Sequence, residues 1–237
     1  MNLTEKIRKS RKYSKELRCM HRHTIDEHPS CFARGLIKWP NDRVFSKFTG
    51  EDWYNFPGYK IGYFDIEVDN LNADWGNMLT WCIKEKGTDK FYTSVITKEE
   101  LFDETYDYRV VKELIDALSN FKIIMGYYST NFDMPFSRAK ALHYGLSFPS
   151  YGELYHWDLY YTVKSKLKIS RKSLDNACDF LGIKGKTPIS KDIWRRARFG
   201  DEKSLEKVLE HNVADCIITE ELHDKLDFSR KWIRSSI

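Results

Sequence analysis

One stretch decides the fold of this chain, and it reads Tyr59-Lys60-Ile61-Gly62-Tyr63-Phe64-Asp65-Ile66-Glu67. It is rich in aromatic and β-branched residues and follows the turn residues Pro57-Gly58, which predicts a strand. Because side chains alternate faces along a strand, Asp65 and Glu67 point to the same side. Adjacent carboxylates repel each other, and a divalent cation is the usual compensation. An isolated pair of this kind is more often a solvated strand end. A metal site is therefore indicated only if the chain supplies further acids at suitable positions.

The composition indicates a globular protein. The chain has 237 residues, of which 41% are hydrophobic and 15% aromatic, enough for one α/β domain with an N-terminal extension. Its apolar runs are too short to span a membrane, and the polar N-terminus lacks a signal-peptide core, so we expect a soluble cytoplasmic protein. Cys82, Cys178 and Cys216 fall within apolar patterns and are expected to be reduced core residues.

The N-terminal segment is strongly basic, although the net charge of the chain is only +4. Its cations are Lys6, Arg8, Lys9, Arg11, Lys12, Lys15, Arg18 and Arg22. Such an arm favours a polyanion such as nucleic acid, and the alternative is the solvated face of an amphipathic helix.

Potential metal ligands follow the basic arm, at Cys19, His21, His23, His28 and Cys31. This density of cysteine and histidine makes one structural Zn²⁺ a candidate, although the spacing matches no standard zinc module. The alternative is a loop whose histidines contact phosphates or solvent. We assign residues 1–58 to a basic Cys/His-containing extension and residues 59–237 to the main domain.

The order of the predicted elements indicates a mixed sheet. Residues 1–18 are a helix or an unstructured arm, and residues 32–58 are irregular. Strands are expected at 59–67, 78–84, 91–96, 121–125 and 157–159, and helices at 110–118, 133–144, 173–181, 191–199 and 201–226. Three meandering strands followed by α/β crossovers predict a mixed sheet with helices packed on it.

Further acids lie at places that can converge on one cleft. Asp133 follows helix-capping residues and precedes Pro135, which is tolerated only in a first turn, so it lies near a helix N-terminus. His211 and Asp215 are four residues apart on the last helix and share a face. They border an apolar stripe of Leu205, Val208, Leu209, Val213, Cys216 and Ile217. Taken alone, an ordinary helix histidine and an ion-paired acid are the better interpretation.

Three motifs together carry a resemblance to a known family. They are Asp65-Ile66-Glu67, Phe132-Asp133-Met134-Pro135-Phe136 and His211-Asn212-Val213-Ala214-Asp215. In these the chain resembles the DEDD superfamily of 3′–5′ exonucleases. Within that superfamily, the resemblance is to predicted exonucleases related to the proofreading domain of family B DNA polymerases, including phage proteins. The resemblance covers about residues 59–226 and implies a ribonuclease H-like, mixed five-stranded sheet flanked by helices, in a host cytoplasm if a phage encodes it.

The chain departs from the family pattern at two positions. Tyr128 stands where the second motif usually has an asparagine, five residues before Asp133. His211 is a histidine, as in one branch of the family, at the spacing that the tyrosine branch uses. These departures concern a backbone or substrate contact and the catalytic base.

The resemblance implies metal-dependent hydrolysis of phosphodiesters, with Asp65, Glu67, Asp133, Asp215 and His211 as catalytic residues. The four acids would hold two Mg²⁺ or Mn²⁺ ions, which suits oxygen-only ligands, and His211 would act as the base. The expected partner is nucleic acid with single-stranded 3′ ends, DNA being favoured over RNA. Its candidate contacts are Tyr127, Tyr128 and Trp157 for bases and Lys186, Arg195 and Arg196 for phosphates. The alternatives are a structure-selective endonuclease on the same fold and a nucleic-acid-binding module with a degenerate site.

Overall fold

The computed structural model describes residues 60–149, 153–185 and 188–226, together with the backbone of two short strands near the N-terminus. These strands, β1 (Arg18–Cys19) and β2 (Ile37–Lys38), pair antiparallel. The other predictions for residues 1–59 lie outside the described residues. The zinc site and the boundary at residue 58 therefore stay predictions.

The main sheet has five strands, with bounds β3 (Ile61–Val68), β4 (Met78–Glu85), β5 (Phe91–Val95), β6 (Ile123–Gly126) and β7 (Tyr155–Asp158). Their order is β5-β4-β3-β6-β7. The first three pair antiparallel, whereas β6 runs parallel to β3 and β7 parallel to β6. The prediction of a mixed five-stranded sheet is confirmed. Since β3, β6 and β7 are parallel, their carboxyl ends meet at one edge.

Seven helices are described alongside the sheet: α1 (Lys98–Phe102), α2 (Tyr108–Leu118), α3 (Asp133–His143), α4 (Leu159–Lys166), α5 (Leu174–Phe180), α6 (Lys191–Ala197) and α7 (Glu202–Leu226). Within the described residues, none of them is long and apolar enough to cross a membrane. The sequence did not predict α1 or α4. Helix α1 has five residues, and α4 buries only Leu159 and Val163, so neither produces a clear apolar period.

The strand β3 contacts structure on both of its faces. Tyr63 and Asp65 bond to side chains of α7, which packs against β3 and β4. Ile66 points the other way and belongs to the same buried cluster as Val111 and Leu114 of α2. The alternation expected for Asp65 and Glu67 therefore directs both acids toward α7.

Helix α7 buries a stripe that differs from the predicted one. Leu205, Val208 and Cys216 are buried as expected, whereas Leu209, Val213 and Ile217 are only half-buried. Asn212 and His223 are fully buried in the stripe instead. Both are polar and tolerate burial because each has a hydrogen-bond partner on β3, the Asp65 carboxylate and the Tyr63 hydroxyl. The three cysteines predicted to be reduced core residues are buried thiols.

Candidate active site

A residue of α7 holds the carboxylate of Asp65, the first acid of the site, in place. The Nδ2 atom of Asn212 donates a hydrogen bond of 2.6 Å to Oδ2 of Asp65. Asn212 is fully buried, so its rotamer is restricted by packing as well as by this bond. The sequence did not identify Asn212, although an amide in an otherwise apolar stripe was a signal that it has a partner.

The second motif meets the first through the backbone of β3. Asp133 is the first residue of α3 and is buried, and its Oδ1 accepts a 3.0 Å hydrogen bond from the Ile66 backbone N–H. Ile66 lies between Asp65 and Glu67 in sequence. The start of α3 is thus attached to the segment of β3 that carries the other two acids. The prediction that Asp133 lies near a helix N-terminus is confirmed.

The third motif completes the group from the opposite side. Nε2 of His211 lies 3.6 Å from Oε1 of Glu67 and 3.9 Å from Oδ2 of Asp215. The imidazole is therefore positioned between acids of β3 and α7. Its Nδ1 atom is buried and has no hydrogen-bond partner among the described residues. The five catalytic residues predicted from the three motifs thus lie around one place.

The acids of this group repel one another strongly. Burial raises the pKa of Asp65 well above its ordinary value, and the charges of Asp133, Glu67 and Asp215 raise it further. The hydrogen bond from Asn212 opposes this rise without cancelling it. Burial also raises the pKa of Asp133 to about 7, against the opposing bond from the Ile66 N–H. The pocket therefore favours protons or another positive charge.

The residues present fit a hard divalent cation. The candidate ligands are carboxylate oxygens, which Mg²⁺ and Mn²⁺ prefer, and the mutual repulsion of the acids is what a cation relieves. Among the described residues, no three His, Cys, Asp or Glu side chains already stand as a finished coordination group. It is thus the repulsion and the donor chemistry, and not a preformed cage, that indicate a cation.

The loop that leads into α3 is held by a residue that the sequence analysis did not assign to the site. Oδ1 of Asp158 accepts hydrogen bonds from the backbone N–H groups of Tyr128 at 2.8 Å and Tyr160 at 3.0 Å. Its Oδ2 accepts another from Thr130 N–H at 2.9 Å. Asp158 therefore caps α4 and clamps the loop at once. An aspartate directly before the apolar start of a helix was the available signal.

A second contact from β7 supports the same loop. The buried Ser129 hydroxyl and Nε2 of His156 share a hydrogen bond of 2.8 Å, and the Ser129 carbonyl accepts one from the Met134 N–H of α3. Burial lowers the pKa of His156. A Cβ atom on Gly126 would lie 2.4 Å from the Ser129 hydroxyl, so the loop folds this closely only over glycine.

The aromatic residues predicted to contact bases lie in different environments. The Tyr127 hydroxyl donates to the Lys172 carbonyl, and burial raises the pKa of that hydroxyl. Tyr128 is 47% exposed and has a φ of 63°, a left-handed conformation that asparagine adopts more readily. Trp157 is half-buried, donates to the Thr162 hydroxyl and packs edge-on against His223 of α7. Of the three, Tyr128 is the most available to a ligand.

The two predicted phosphate-binding arginines have exposed side chains that are not fixed by packing. Arg195 and Arg196 lie on α6 and are largely exposed, where both form ion pairs with Asp192. Such exposed pairs contribute little to stability, so both guanidinium groups can exchange partners. Lys186 lies outside the described residues.

Comparisons with known proteins agree with this geometry. The family model described as RNase_H superfamily matches residues 62–227. The structure of the family B DNA polymerase from the hyperthermophilic archaeon Pyrobaculum calidifontis matches with a TM-score of 0.58 at 19% sequence identity. At this identity the likeness shows the fold alone, and the match covers 72% of this chain and 25% of the polymerase chain. A comparison with curated proteins gave no match.

These findings confirm the ribonuclease H-like nuclease fold that the three motifs predicted. The family model covers all three motifs, from before Asp65 to beyond Asp215, and more than half of the chain. The chain therefore belongs to the RNase_H superfamily.

Proposed function

We propose that the protein is a metal-dependent 3′–5′ exonuclease that hydrolyses phosphodiester bonds of nucleic acid. The observation that carries the proposal is the convergence of Asp65, Glu67, Asp133 and Asp215 from three elements. Burial raises the pKa of Asp65 and of Asp133, and the charges of the other three acids raise the pKa of Asp65 further. Burying neighbouring carboxylates is energetically unfavourable, and the binding of cations is a function that explains why they lie together. The family membership supports a nuclease, and the motif resemblance supports the 3′–5′ direction.

The roles of the residues follow from their contacts. The four acids would hold two Mg²⁺ or Mn²⁺ ions, which when bound activate water and stabilise charge on the attacking and leaving oxygens. Asn212 keeps the Asp65 carboxylate oriented, and the Ile66 N–H does the same for Asp133. Nε2 of His211, beside Glu67 and Asp215, accepts the proton of the attacking water.

The substrate we propose is a single-stranded 3′ end, with DNA favoured over RNA, and the place of action is the cytoplasm. The exposed tyrosine at position 128 and the exposed arginines of α6 are the groups on offer for bases and phosphates. A structure-selective endonuclease would use the same acids, and only the products distinguish the two.

The test is cleavage of single-stranded DNA and RNA labelled at the 5′ end, with Mg²⁺ or Mn²⁺ and with EDTA as the control. A 3′–5′ exonuclease gives a descending ladder of labelled fragments that disappears in EDTA. Discrete internal cuts would replace the proposal with the endonuclease. Binding of the strands without any cleavage, at every metal concentration tried, would leave only the nucleic-acid-binding module.

A further inference from the structure

Four tyrosines form a cluster, with Tyr127 and Tyr128 directly after β6 and Tyr160 and Tyr161 in the first turn of α4. The ring centroids of Tyr128 and Tyr160 are 4.9 Å apart and those of Tyr127 and Tyr160 5.9 Å, with the rings nearly perpendicular in both pairs. Tyr161 meets Tyr160 in the same way at 5.3 Å. Edge-to-face contacts of this kind hold the rings in fixed orientations.

The cluster borders an open pocket of about 410 Å³. Its lining consists of Tyr127, Tyr128, Tyr160, Lys172, Ser173 and Leu174. This volume lies in the range of small-ligand sites, and the wall is mainly aromatic with a few polar groups, as such sites require.

Two features of the tyrosines point to a ligand and not to the core. Tyr128 and Tyr161 are 47% and 43% exposed, so their rings contribute little to packing. Tyr128 also has a φ of 63°, an unfavourable conformation for a bulky residue. Its backbone is kept there by the Asp158 carboxylate. Strain of this kind persists where the surrounding structure enforces it and is concentrated at ligand sites.

The pocket is close enough to the acids to serve the same strand. Tyr63 of β3 pairs with Met125 of the parallel strand β6, and Asp65 and Tyr127 each follow two residues later in the chain. Helix α4 starts from the end of β7, which is two strands away from β3. Two strand spacings are about 10 Å, and this is roughly three nucleotides at about 3.4 Å each along a stacked strand.

The charge around the pocket matches a nucleic acid. Between Leu159 and Leu174 the chain carries five cations and no acid, namely Lys164, Lys166, Lys168, Arg171 and Lys172. All but Lys172 are exposed, and the Lys164 ammonium group lies 5.8 Å from the centre of the Tyr160 ring. Lys172 donates hydrogen bonds to the carbonyls of Leu167 and Ile169 and so stabilises the loop between α4 and α5. Lys172 itself lines one side of the pocket.

We propose that the pocket lined by Tyr127, Tyr128 and Tyr160 binds a base of the single strand, within about three nucleotides of the bond that is cut. This inference rests on the proposed function. The exposed lysines contact the backbone next to that base. Stacking on tyrosine tolerates every base, because each base has a π-face, so the pocket positions the strand without reading its sequence.

The test is a scan with abasic nucleotides, read by fluorescence anisotropy in EDTA so that no strand is cut. The probes are 5′-labelled single strands of about ten nucleotides, within the site sizes of single-strand-binding folds, each with one abasic position. The wild-type protein should lose affinity roughly ten- to a hundredfold at one position near the 3′ end, and little elsewhere.

Variants assign that position to the pocket. Tyr160→Ala should bind the complete strand about as weakly as wild type binds the critical abasic strand, and should no longer distinguish the probes. Tyr160→Trp keeps a stacking surface and should retain the pattern. Tyr128→Asn removes a ring while suiting the left-handed backbone, so it tests the pocket even if Tyr160→Ala fails to fold. Phe102→Ala, which removes a 68% exposed aromatic ring from α1, is the matched control.

An affinity loss that is equal at all abasic positions would overturn the inference, as would wild-type behaviour of Tyr160→Ala and Tyr128→Asn. These results are distinct from failure of the proposed function. A wild-type protein that cuts single strands with Mn²⁺ but shows no critical position contradicts the pocket alone. A wild-type protein that cuts nothing contradicts the exonuclease, and with it the pocket.

Discussion

Asn212 connects the packing of α7 to the chemistry of the acids. It is fully buried, and its side-chain amide donates a hydrogen bond to the Asp65 carboxylate. Burial and the charges of three neighbouring acids raise the pKa of Asp65. Residues that orient a ligand in this way typically change metal affinity about 10–100-fold when removed. We expect Asn212→Ala to weaken Mn²⁺ binding by that amount in calorimetric titration. Thr219→Ala, a buried polar residue on the same helix, is the control. Equal affinities in the two variants would contradict this role for Asn212.

The raised pKa of Asp133 predicts a pH-dependent stability in EDTA. The pKa of Asp133 is about 7 in the folded protein, whereas an aspartate of the unfolded chain has a pKa of about 3.9. The folded state therefore binds more protons between these values, and this carboxyl makes the protein less stable as pH rises through that window. Above pH 7 the buried charge remains as a penalty.

Asp133→Asn removes this penalty while its Oδ1 can still accept from the Ile66 N–H. The variant should therefore melt several degrees above wild type at pH 8, at about 2–4 °C per kcal/mol for a domain of this size. At pH 4 the two should melt nearly together. A gain of the same size at both pH values would show that the charge of Asp133 is not responsible.

His211 is expected to affect turnover and not affinity. Its Nε2 atom faces Glu67 and Asp215, where a water attacking the phosphate would lie in the proposed mechanism. His211→Ala should lower the cleavage rate at saturating substrate by roughly 10²–10⁴-fold, with little change in strand binding. His143→Ala, at the exposed end of α3, is the control.

The resemblance adds a sharper variant at the same position. The tyrosine branch of the family uses this spacing, so His211→Tyr should recover part of the rate with a shifted pH profile. If His211→Ala cuts like wild type, His211 is a structural residue of the helix.

At the scale of elements, β7 sets the position of the loop before α3. Asp158 accepts from Tyr128 and Thr130 N–H groups and caps α4. Asp158→Ala leaves these groups without their acceptor, which should cost about 1–3 kcal/mol of stability. It should also lower kcat and weaken strand binding, because the loop leads into α3 and carries Tyr128 of the pocket. Ser190→Ala removes the cap of α6 and nothing from the loop, so it should lose stability alone. Equal kcat in the two variants would refute a positioning role for Asp158.

The elements differ in how far the sequence predicted them. The ends of β3 and the start of α3 carried several agreeing signals, since alternation, capping residues and the motifs coincided there. The polar partners that complete the site, Asn212 and Asp158, depend on contacts between distant elements. A single sequence shows Asn212 only as an exception to an apolar pattern and Asp158 only as a residue suited to a helix cap, so neither was assigned to the site. The helices α1 and α4 were missed because each buries too few residues to show a period.

In the whole molecule, the site and the tyrosine pocket share one edge of the sheet. The parallel strands β3, β6 and β7 end there, which is the place where open α/β sheets bind ligands. The acids Asp65 and Glu67 lie at the end of β3. Tyr160, Tyr161 and the exposed Lys164 and Lys166 lie on α4, which follows the end of β7. In the proposed function, the exposed lysines attract the polyanion to this edge, and cations held by the acids would offset the repulsion of its end.

The measurement that tests the central claim most directly is the single-turnover rate of strand cleavage as a function of Mn²⁺ concentration, compared between wild type and Asp65→Asn. Glu206→Gln, an exposed acid on α7 outside the site, is the matched control. The account predicts a rate that saturates with Mn²⁺ in wild type and Glu206→Gln, and no detectable cleavage in Asp65→Asn at any Mn²⁺ concentration. Cleavage by Asp65→Asn at the wild-type rate would contradict it.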